Sequence, residues 1–217
     1  MGKMLDDALQ MGRVSALLGI LNLSDEEAYR HAISVAETTE EYIELAKKTG
    51  ELEWSEKQCV EILTGALVHD IGKAFLPFGL QYSAKKLSTY EQEVVRMHPI
   101  LGIVAVKNCE FSEIVENIIL MHHANADGTG YPSFSEQIFN LENVPDYVWL
   151  VSYADRFEAM TNTRSFKKAL SYPEAWEEIL RMSRMEKLPY KFTRLFSEII
   201  KNKSILPIEE IYEGGLE

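Results

Sequence analysis

The sequence predicts an all-α fold. Apolar residues recur at intervals of three and four along nearly the whole chain, whereas alternating apolar and polar stretches bounded by turn residues are almost absent. Several segments begin with Ser followed three residues later by Glu, the pattern of a helix capping box. The 217 residues, of which 46% are hydrophobic, are enough to form one globular domain with a full core.

The first segment, residues 1–23, is predicted to be an N-terminal amphipathic helix that precedes a main domain over residues 24–217. Its apolar stripe can pack on the core or on a second copy of the chain, so a homodimer through this helix is one expectation. The stripe consists of Met4, Leu5, Ala8, Met11, Val14, Leu18 and Leu21. Charged residues such as Asp6 and Arg13 interrupt the segment, and no run of about 18 apolar residues occurs anywhere in the chain. Neither a membrane span nor a signal peptide is therefore predicted.

Two long helices are predicted next. Ser24 with Glu27 reads as a capping box for a helix over residues 24–48, which ends at Gly50 because glycine readily adopts a left-handed conformation. A further helix is expected over residues 55–70, before Gly72. It would end at a His-Asp pair.

The middle of the chain predicts a helix that is interrupted by proline. Ser88 with Glu91 is a second capping box. The step from His98 to Pro99 must break this helix, because the residue before proline is disfavoured in the α region while proline suits a first turn. One helix is therefore expected to end at His98 and the next to begin at Pro99.

In the last part of the chain the sequence predicts three helices, a loop and one or two short terminal helices. A helix from about Ser112 should end at the pair His122 and His123, and turn residues 127–132 cannot continue it. Later helices are expected from Pro145 to about residue 160 and from the capping box at Ser171. One or two short helices should complete the fold.

Charge and cysteine content restrict the possible partners. Lys and Arg number 22 against 34 Asp and Glu, so the net charge of −12 disfavours binding to duplex nucleic acid. A small phosphate ligand stays compatible with this charge, because a metal cluster can reverse the field inside one pocket. Cys59 and Cys109 form no CxxC pair. Reduced core cysteines, and thus a cytoplasmic location, are expected.

The five histidines, at positions 31, 69, 98, 122 and 123, each lie near a predicted helix end or beside an acidic or turn motif. His69 and Asp70 are adjacent, which places an imidazole and a carboxylate at one point, where the carboxylate can bridge two cations. Such nitrogen and oxygen donors suit iron, manganese or zinc. The absence of thiolate ligands favours a catalytic site over a closed structural zinc site.

The order of these residues resembles the HD superfamily of metal-dependent phosphohydrolases, and five motifs are similar to those of its HD-GYP subfamily. The motifs are HDIGK at 69–73, MHPILG at 97–102, HHANADGTGYP at 122–132, ADRFEAMT at 154–161 and RSFKKA at 164–169. The match covers about residues 24–181. It implies an HD-domain helical bundle with a C-terminal GYP extension, and an enzyme that hydrolyses a cyclic dinucleotide such as cyclic di-GMP to linear pGpG or GMP.

The resemblance also implies the ligands of two or three divalent metal ions, with iron or manganese expected. The implied ligands are Glu27, His31, His69, Asp70, His98, His122, His123 and Asp155. Asp70 would bridge two ions. Glu27 corresponds to the ligand of a third ion in some family members, and the alternative is that it only closes the capping box of Ser24.

Residues implied in catalysis and substrate binding follow from the same motifs. Asp70 and Lys73 are assigned to catalysis, since metals about 3.5 to 4 Å apart activate a bridging water and clamp the phosphate, and a lysine can neutralise phosphate charge. The expected substrate-binding residues are Lys73, Gly130, Tyr131, Arg164, Lys167 and Lys168.

Some positions depart from the family pattern. The Glu expected after the histidine pair is Ala124, and Arg164 is followed by Ser165 instead of Pro. Two alternatives are therefore kept: an HD phosphohydrolase for another nucleotide, such as cyclic GMP-AMP, and a degenerate domain that binds nucleotide or protein without turnover. A turnover assay on metal-loaded protein separates the two.

Overall fold

The computed structural model describes residues 2–51, 53–77, 80, 87–132, 144–162 and 168–203. Its helices are α1 Lys3–Leu9, α2 Gly12–Ser24, α3 Glu26–Thr49, α4 Glu56–Val68, α5 Thr89–Val95, α6 His98–Val106, α7 Glu113–Met121, α8 Asp146–Thr161, α9 Tyr172–Arg184 and α10 Thr193–Lys203, with 3₁₀ helices at Ile71–Phe75 and Tyr190–Phe192. The described residues contain no strand, and their one isolated β-bridge joins Ala124 and Gly130. The all-α prediction is confirmed.

The N-terminal stretch forms two helices, so the prediction of a single helix is wrong. Gln10 ends α1, and the extended backbone of Met11 precedes Gly12, the poor helix former with which α2 begins. The apolar residues of both helices, Leu5, Ala8, Val14, Leu17, Leu18 and Leu21, belong to the main core. The stripe is thus buried within the chain, and the homodimer and the boundary at residue 24 remain predictions.

Helix α3 begins one residue later than its predicted cap. Asp25 is the N-cap, and its carboxylate accepts a hydrogen bond of 2.9 Å from the Ala28 amide. Ser24 belongs to α2 and donates to the Leu21 carbonyl oxygen at 2.9 Å. The predicted Ser24 capping box is therefore wrong, because the neighbouring aspartate serves equally well as an N-cap. The predicted end of α3 at Gly50 is confirmed by its φ of +68°.

Helices α3, α4, α7 and α8 pack against one another in the core, and six predicted ligands lie within them or directly after them. Ser55 caps α4 through a capping box with Gln58, and α4 buries Ile62, Leu63 and Leu67 before it ends at His69. The capping boxes predicted at Ser88 and Ser171 are present. These caps define where each helix begins and therefore which residues its far end delivers.

The proline break and the last helices differ from prediction only at their boundaries. Helix α5 ends at Val95 and α6 begins at His98, with Pro99 in its first turn. Pro145 is the N-cap of α8 and not its first residue. None of the described helices combines the length and the apolar character that crossing a membrane requires.

Candidate metal centre

Five helices bring seven of the eight predicted ligands together. His31 comes from α3, His69 and Asp70 follow α4, His98 begins α6, the pair His122 and His123 follows α7, and Asp155 lies in α8. Six of the seven are buried, and the His123 side chain is 20% exposed. Residues far apart in the sequence thus face one interior site.

The seven side chains form two groups of potential metal ligands. One contains Asp70, His98, His122 and His123, and the other His31, His69 and Asp155. Within each group the nitrogen and oxygen ligand atoms lie within 4.8 Å of one another. Each group offers at least three donors, as a transition-metal site requires.

Asp70 lies between the two groups. Its Oδ2 is 3.3 Å from His69 Nε2 in one group, and its Oδ1 is 3.2 Å from His98 Nε2 in the other. Burial alone would raise the pKa of this carboxyl, but Lys73 and His69 hold it well below its usual range. Asp70 is therefore an anion with one oxygen toward each group, as the predicted bridging role requires.

Asp155 also contacts both groups. Its Oδ1 lies 2.9 Å from His31 Nε2, and its Oδ2 lies 3.8 Å from His123 Nδ1. Burial would raise the pKa of Asp155, whereas the hydrogen bond from His31 and the other imidazoles keep it well below its usual range. The site thus contains two carboxylate anions among five imidazoles.

Backbone carbonyls set the orientation of three imidazoles. His69 Nδ1 donates to the Ala66 carbonyl at 2.7 Å, His98 Nδ1 to the Val95 carbonyl at 2.9 Å, and His122 Nδ1 to the carbonyls three and four residues before it. Because a carbonyl only accepts, Nδ1 holds the proton, and in the neutral ring the Nε2 lone pair points into the site. Each ring is thereby prepared to bind a cation through Nε2.

The short distance between two of these imidazole nitrogens is what a shared metal ion would produce. His98 Nε2 and His122 Nε2 lie 3.2 Å apart, and two facing lone pairs at this distance repel each other. Metal–nitrogen bonds of about 2.1 Å at right angles place two nitrogens about 3.0 Å apart. His31 Nδ1, His69 Nε2 and Asp70 Oδ1 are buried without a hydrogen-bond partner. A metal ion could be the missing partner of His69 Nε2 and Asp70 Oδ1.

Burial lowers the pKa of three of the histidines, His31, His122 and His123, and so favours their neutral forms. It lowers the pKa of His122 to about 3, with further lowering by His69 and His98, and it holds the pKa of His123 well below its usual range. His69 differs, because its neighbour Asp70 raises its pKa despite burial. A metal ion would displace a proton there, while His122 and His123 already have the neutral form that metals bind.

Two glycines let the HD motif approach the start of α6. A Cβ atom on Gly72 would lie 1.9 Å from the His98 carbonyl oxygen and 2.6 Å from the Gly102 nitrogen. A Cβ atom on Gly102 would lie 2.7 Å from Ile119 Cγ2. The glycines of the HDIGK and MHPILG motifs therefore bring His69 and Asp70 within reach of His98.

The loop after the histidine pair forms one wall of a cavity beside the site. The loop folds back because Gly130, at φ +104°, lies close to the His123 carbonyl, and the Tyr131 amide donates to that carbonyl at 3.3 Å. The Tyr131 ring lies 4.4 Å from the His123 ring. Burial raises the pKa of Tyr131, so its hydroxyl stays a hydrogen-bond donor at neutral pH.

The cavity has a volume of about 310 Å³ and lies directly against the ligands. It is lined by Lys73, Val95, His98, His123, Tyr131, Asp155, Arg156, Ala159, Met160 and Met182. Lys73 Nζ lies 2.5 Å from Asp70 Oδ2. The lining therefore combines cationic and polar side chains with apolar ones.

Arg156 is a cavity residue that the sequence analysis missed. Its guanidinium donates to the Ala124 carbonyl oxygen at 3.1 Å, to Asn125 Oδ1 at 3.0 Å and to Ser152 Oγ at 2.8 Å. Burial lowers its pKa, but a guanidinium is still charged at neutral pH. The signal that could have found it is its position, directly after Asp155 as the basic residue of the ADRFEAMT motif.

The remaining predicted residues lie elsewhere or outside the described part of the chain. Glu27 is exposed on α3 and belongs to neither ligand group. Lys168 is exposed and does not line the cavity. Arg164 and Lys167 lie outside the described residues.

Comparisons with known proteins give the same assignment as the motifs. The HD domain family matches residues 19–188. The chain is 32% identical over 164 residues to a cyclic di-GMP phosphodiesterase of Pseudomonas aeruginosa, covering 74% of this chain and 37% of that protein. It is 30% identical over 173 residues to a cyclic di-GMP phosphodiesterase of Thermotoga maritima, covering 77% of this chain and 44% of that protein. The chain thus spans about two fifths of the length of these relatives.

A solved structure shares the fold. It is described as a HDG"Y"P protein from Bdellovibrio bacteriovorus, and it is similar with a TM-score of 0.59 and 25% identity over 79% of this chain and 51% of that one. The matched region of the family contains all seven clustered ligands. This chain therefore belongs to the HD domain family, with the ordered motifs of its HD-GYP subfamily.

Proposed function

We propose that this chain is a metal-dependent phosphodiesterase that hydrolyses cyclic di-GMP to linear pGpG or GMP. The observation that carries the proposal is the pair of adjacent ligand groups, with one Asp70 oxygen near each, beside a cavity lined by Lys73. The two curated relatives described above are named as cyclic di-GMP phosphodiesterases, which supports this choice of substrate.

The proposed cofactors are two divalent transition metal ions, iron or manganese. His98, His122 and His123 would hold one ion, His31, His69 and Asp155 the other, and Asp70 would contact both. Imidazole-rich donor sets suit transition metals better than Mg²⁺. A third ion at Glu27 remains a prediction, and its support is the sequence position alone.

When bound, paired ions would lower the pKa of a water molecule and offset charge on the phosphate oxygens. Lys73 would neutralise phosphate charge from the cavity side, since its ammonium already lies at the ligand carboxylate of Asp70. Tyr131 can donate a hydrogen bond through its hydroxyl or offer its ring to a base, and Gly130 allows the loop to approach the substrate. Val95, Ala159, Met160 and Met182 supply apolar surface that excludes water from part of the cavity.

The proposed cationic residues for the rest of the substrate are Arg164, Lys167 and Lys168. Arginine suits phosphate because its planar guanidinium offers a fork of donors. The exposed position of Lys168 is compatible with a role at the cavity entrance.

The test is hydrolysis of cyclic di-GMP by metal-loaded protein, with products separated by chromatography and cyclic GMP-AMP run in parallel. We expect pGpG or GMP to form, and turnover to stop when a chelator removes the metal. Asp155→Asn should abolish turnover, whereas Asp7→Asn, at an exposed position of α1, should not change it. A parent protein that binds metal but hydrolyses neither dinucleotide would refute the phosphodiesterase proposal in favour of a degenerate binding domain.

A further inference from the structure

Arg156 is a cation in the cavity wall that forms no direct ion pair with a described carboxylate. Among the described residues, no carboxylate oxygen lies within 4.0 Å of its guanidinium, although the side chain is largely buried. Two other cations near the cavity are paired, Lys73 with Asp70 at 2.5 Å and Arg96 with Glu93 at 2.6 Å. Buried charges are normally paired, because desolvation without a countercharge is costly.

Neutral groups hold the Arg156 guanidinium in place. Its three hydrogen bonds go to the Ala124 carbonyl, the Asn125 side-chain oxygen and the Ser152 hydroxyl. Ser152 in turn donates to the His122 carbonyl at 2.6 Å, so the guanidinium is attached to the same segment that carries the metal ligands. These contacts orient the group through uncharged acceptors, so none of them is an ion pair.

The carboxylate nearest in sequence, Asp155, acts on Arg156 only at a distance and forms no ion pair with it. Asp155 precedes Arg156, but its Oδ1 faces His31 at 2.9 Å and its Oδ2 faces His123 at 3.8 Å. The cavity that Arg156 lines is also lined by His98, His123 and Lys73. An anion in that cavity would therefore contact the metal site on one side and a guanidinium on the other.

We propose that Arg156 binds the second phosphate of the cyclic dinucleotide, the one that is not attacked while the first lies at the metal centre. This inference rests on the proposed function, because it assumes a substrate with two phosphates. A guanidinium that is already oriented loses little freedom on binding an oxyanion and forms charge-assisted hydrogen bonds with it. Arg156 is thus a specificity residue for dinucleotides over simple phosphodiesters.

The kinetic test compares two substrates in the parent and in Arg156→Gln. The KM for cyclic di-GMP should rise by about 10- to 100-fold, as expected for the loss of a hydrogen bond to a charged group. Bis(4-nitrophenyl) phosphate has a single phosphate, so its kcat/KM should fall by less than about threefold. Arg13→Gln is the matched control, since Arg13 donates to two backbone carbonyls on the exposed side of α2 and does not line the cavity. It should leave both substrates unchanged.

Metal content separates substrate binding from mere positioning of the loop. Equal losses on both substrates, together with fewer bound ions in Arg156→Gln, would overturn the proposal and make Arg156 a structural support of the histidine segment. Unchanged kinetics on both substrates would also overturn it. Arg156→Lys, which keeps the charge, should recover part of the affinity for cyclic di-GMP if the proposal is right.

A binding measurement tests the role of Arg156 without any requirement for turnover. Calorimetric titration of metal-free protein with cyclic di-GMP should show weaker binding in Arg156→Gln than in the parent or in Arg13→Gln. Equal affinities, or no binding by the parent, would contradict the assignment of Arg156. A parent that binds cyclic di-GMP through Arg156 but does not hydrolyse it when loaded with metal would refute the phosphodiesterase proposal alone.

Discussion

The substitution Gly72→Ala tests whether the metal centre depends on close contact between the HD motif and the start of α6. The added Cβ atom would lie 1.9 Å from the His98 carbonyl oxygen, 2.8 Å from the His98 carbonyl carbon and 2.6 Å from the Gly102 nitrogen. All three are backbone atoms, so no side-chain rotation can relieve the overlap. The effect is steric, since Gly72 is not among the glycines with positive φ.

The size of the required displacement follows from the same distances. Real Cβ atoms are essentially never closer than 3.0 Å to such neighbours, so His98 and Gly72 must separate by at least 3.0 − 1.9 = 1.1 Å. Metal–ligand bonds tolerate changes of about 0.2 Å. We therefore expect Gly72→Ala to reduce bound metal from about two ions to about one per chain, and to slow hydrolysis of cyclic di-GMP by at least about 100-fold. Overpacking of this kind should also cost about 1 to 3 kcal/mol of stability.

The assay combines elemental analysis of purified protein, turnover of cyclic di-GMP and thermal unfolding. Gly19→Ala is the matched control, because a Cβ atom there meets nothing within 4 Å inside helix α2. It should stabilise the protein by about 0.5 to 1 kcal/mol and leave metal content unchanged. Gly102→Ala should have an intermediate effect, since its nearest neighbour is the movable side chain of Ile119. Normal metal content and turnover in Gly72→Ala would refute the reasoning.

Three further predictions concern the metal ions themselves. Asp70→Ala should abolish hydrolysis while helical content by circular dichroism stays nearly unchanged, and normal turnover would mean that Asp70 is not a bridging ligand. After chelation, Mn²⁺ or Fe²⁺ should restore activity better than Mg²⁺, because imidazole-rich sites prefer transition metals, and full recovery with Mg²⁺ alone would contradict the ligand assignment. If Glu27 holds a third ion, Glu27→Gln should lower the metal count by about one per chain, whereas Asp25→Ala should lose about 1 kcal/mol of stability at the N-cap without changing that count. Equal metal content in Glu27→Gln and the parent would leave a two-metal site.

The positions of helices were largely predictable from local sequence. The capping boxes at Ser88 and Ser171 and the glycine end of α3 are local signals, because each involves groups within a few residues of one another. The failures were also local. Ser24 and Asp25 are adjacent good N-caps, and the chain uses Asp25, while the extended backbone at Met11 divides a stripe that looked continuous.

The seven clustered ligands could be named from the motifs, but their division into two groups could not. Spacing along the chain does not show that Asp70 places one oxygen near His69 and the other near His98, because that depends on how the 3₁₀ helix Ile71–Phe75 packs against α6. Only the folded chain showed that Gly72 is needed for this approach. The reason is that steric contact between distant backbones leaves no periodic pattern in the sequence.

The sequence by itself determined the helical class, the family and the chemical type of the site, since these depend on residue identity and short-range order. The tertiary structure alone decided which residues share the cavity. It placed Arg156 there without a carboxylate partner among the described residues, and left Glu27 and Lys168 outside. Burial and charge pairing are properties of how helices pack, and residue identity alone does not reveal them.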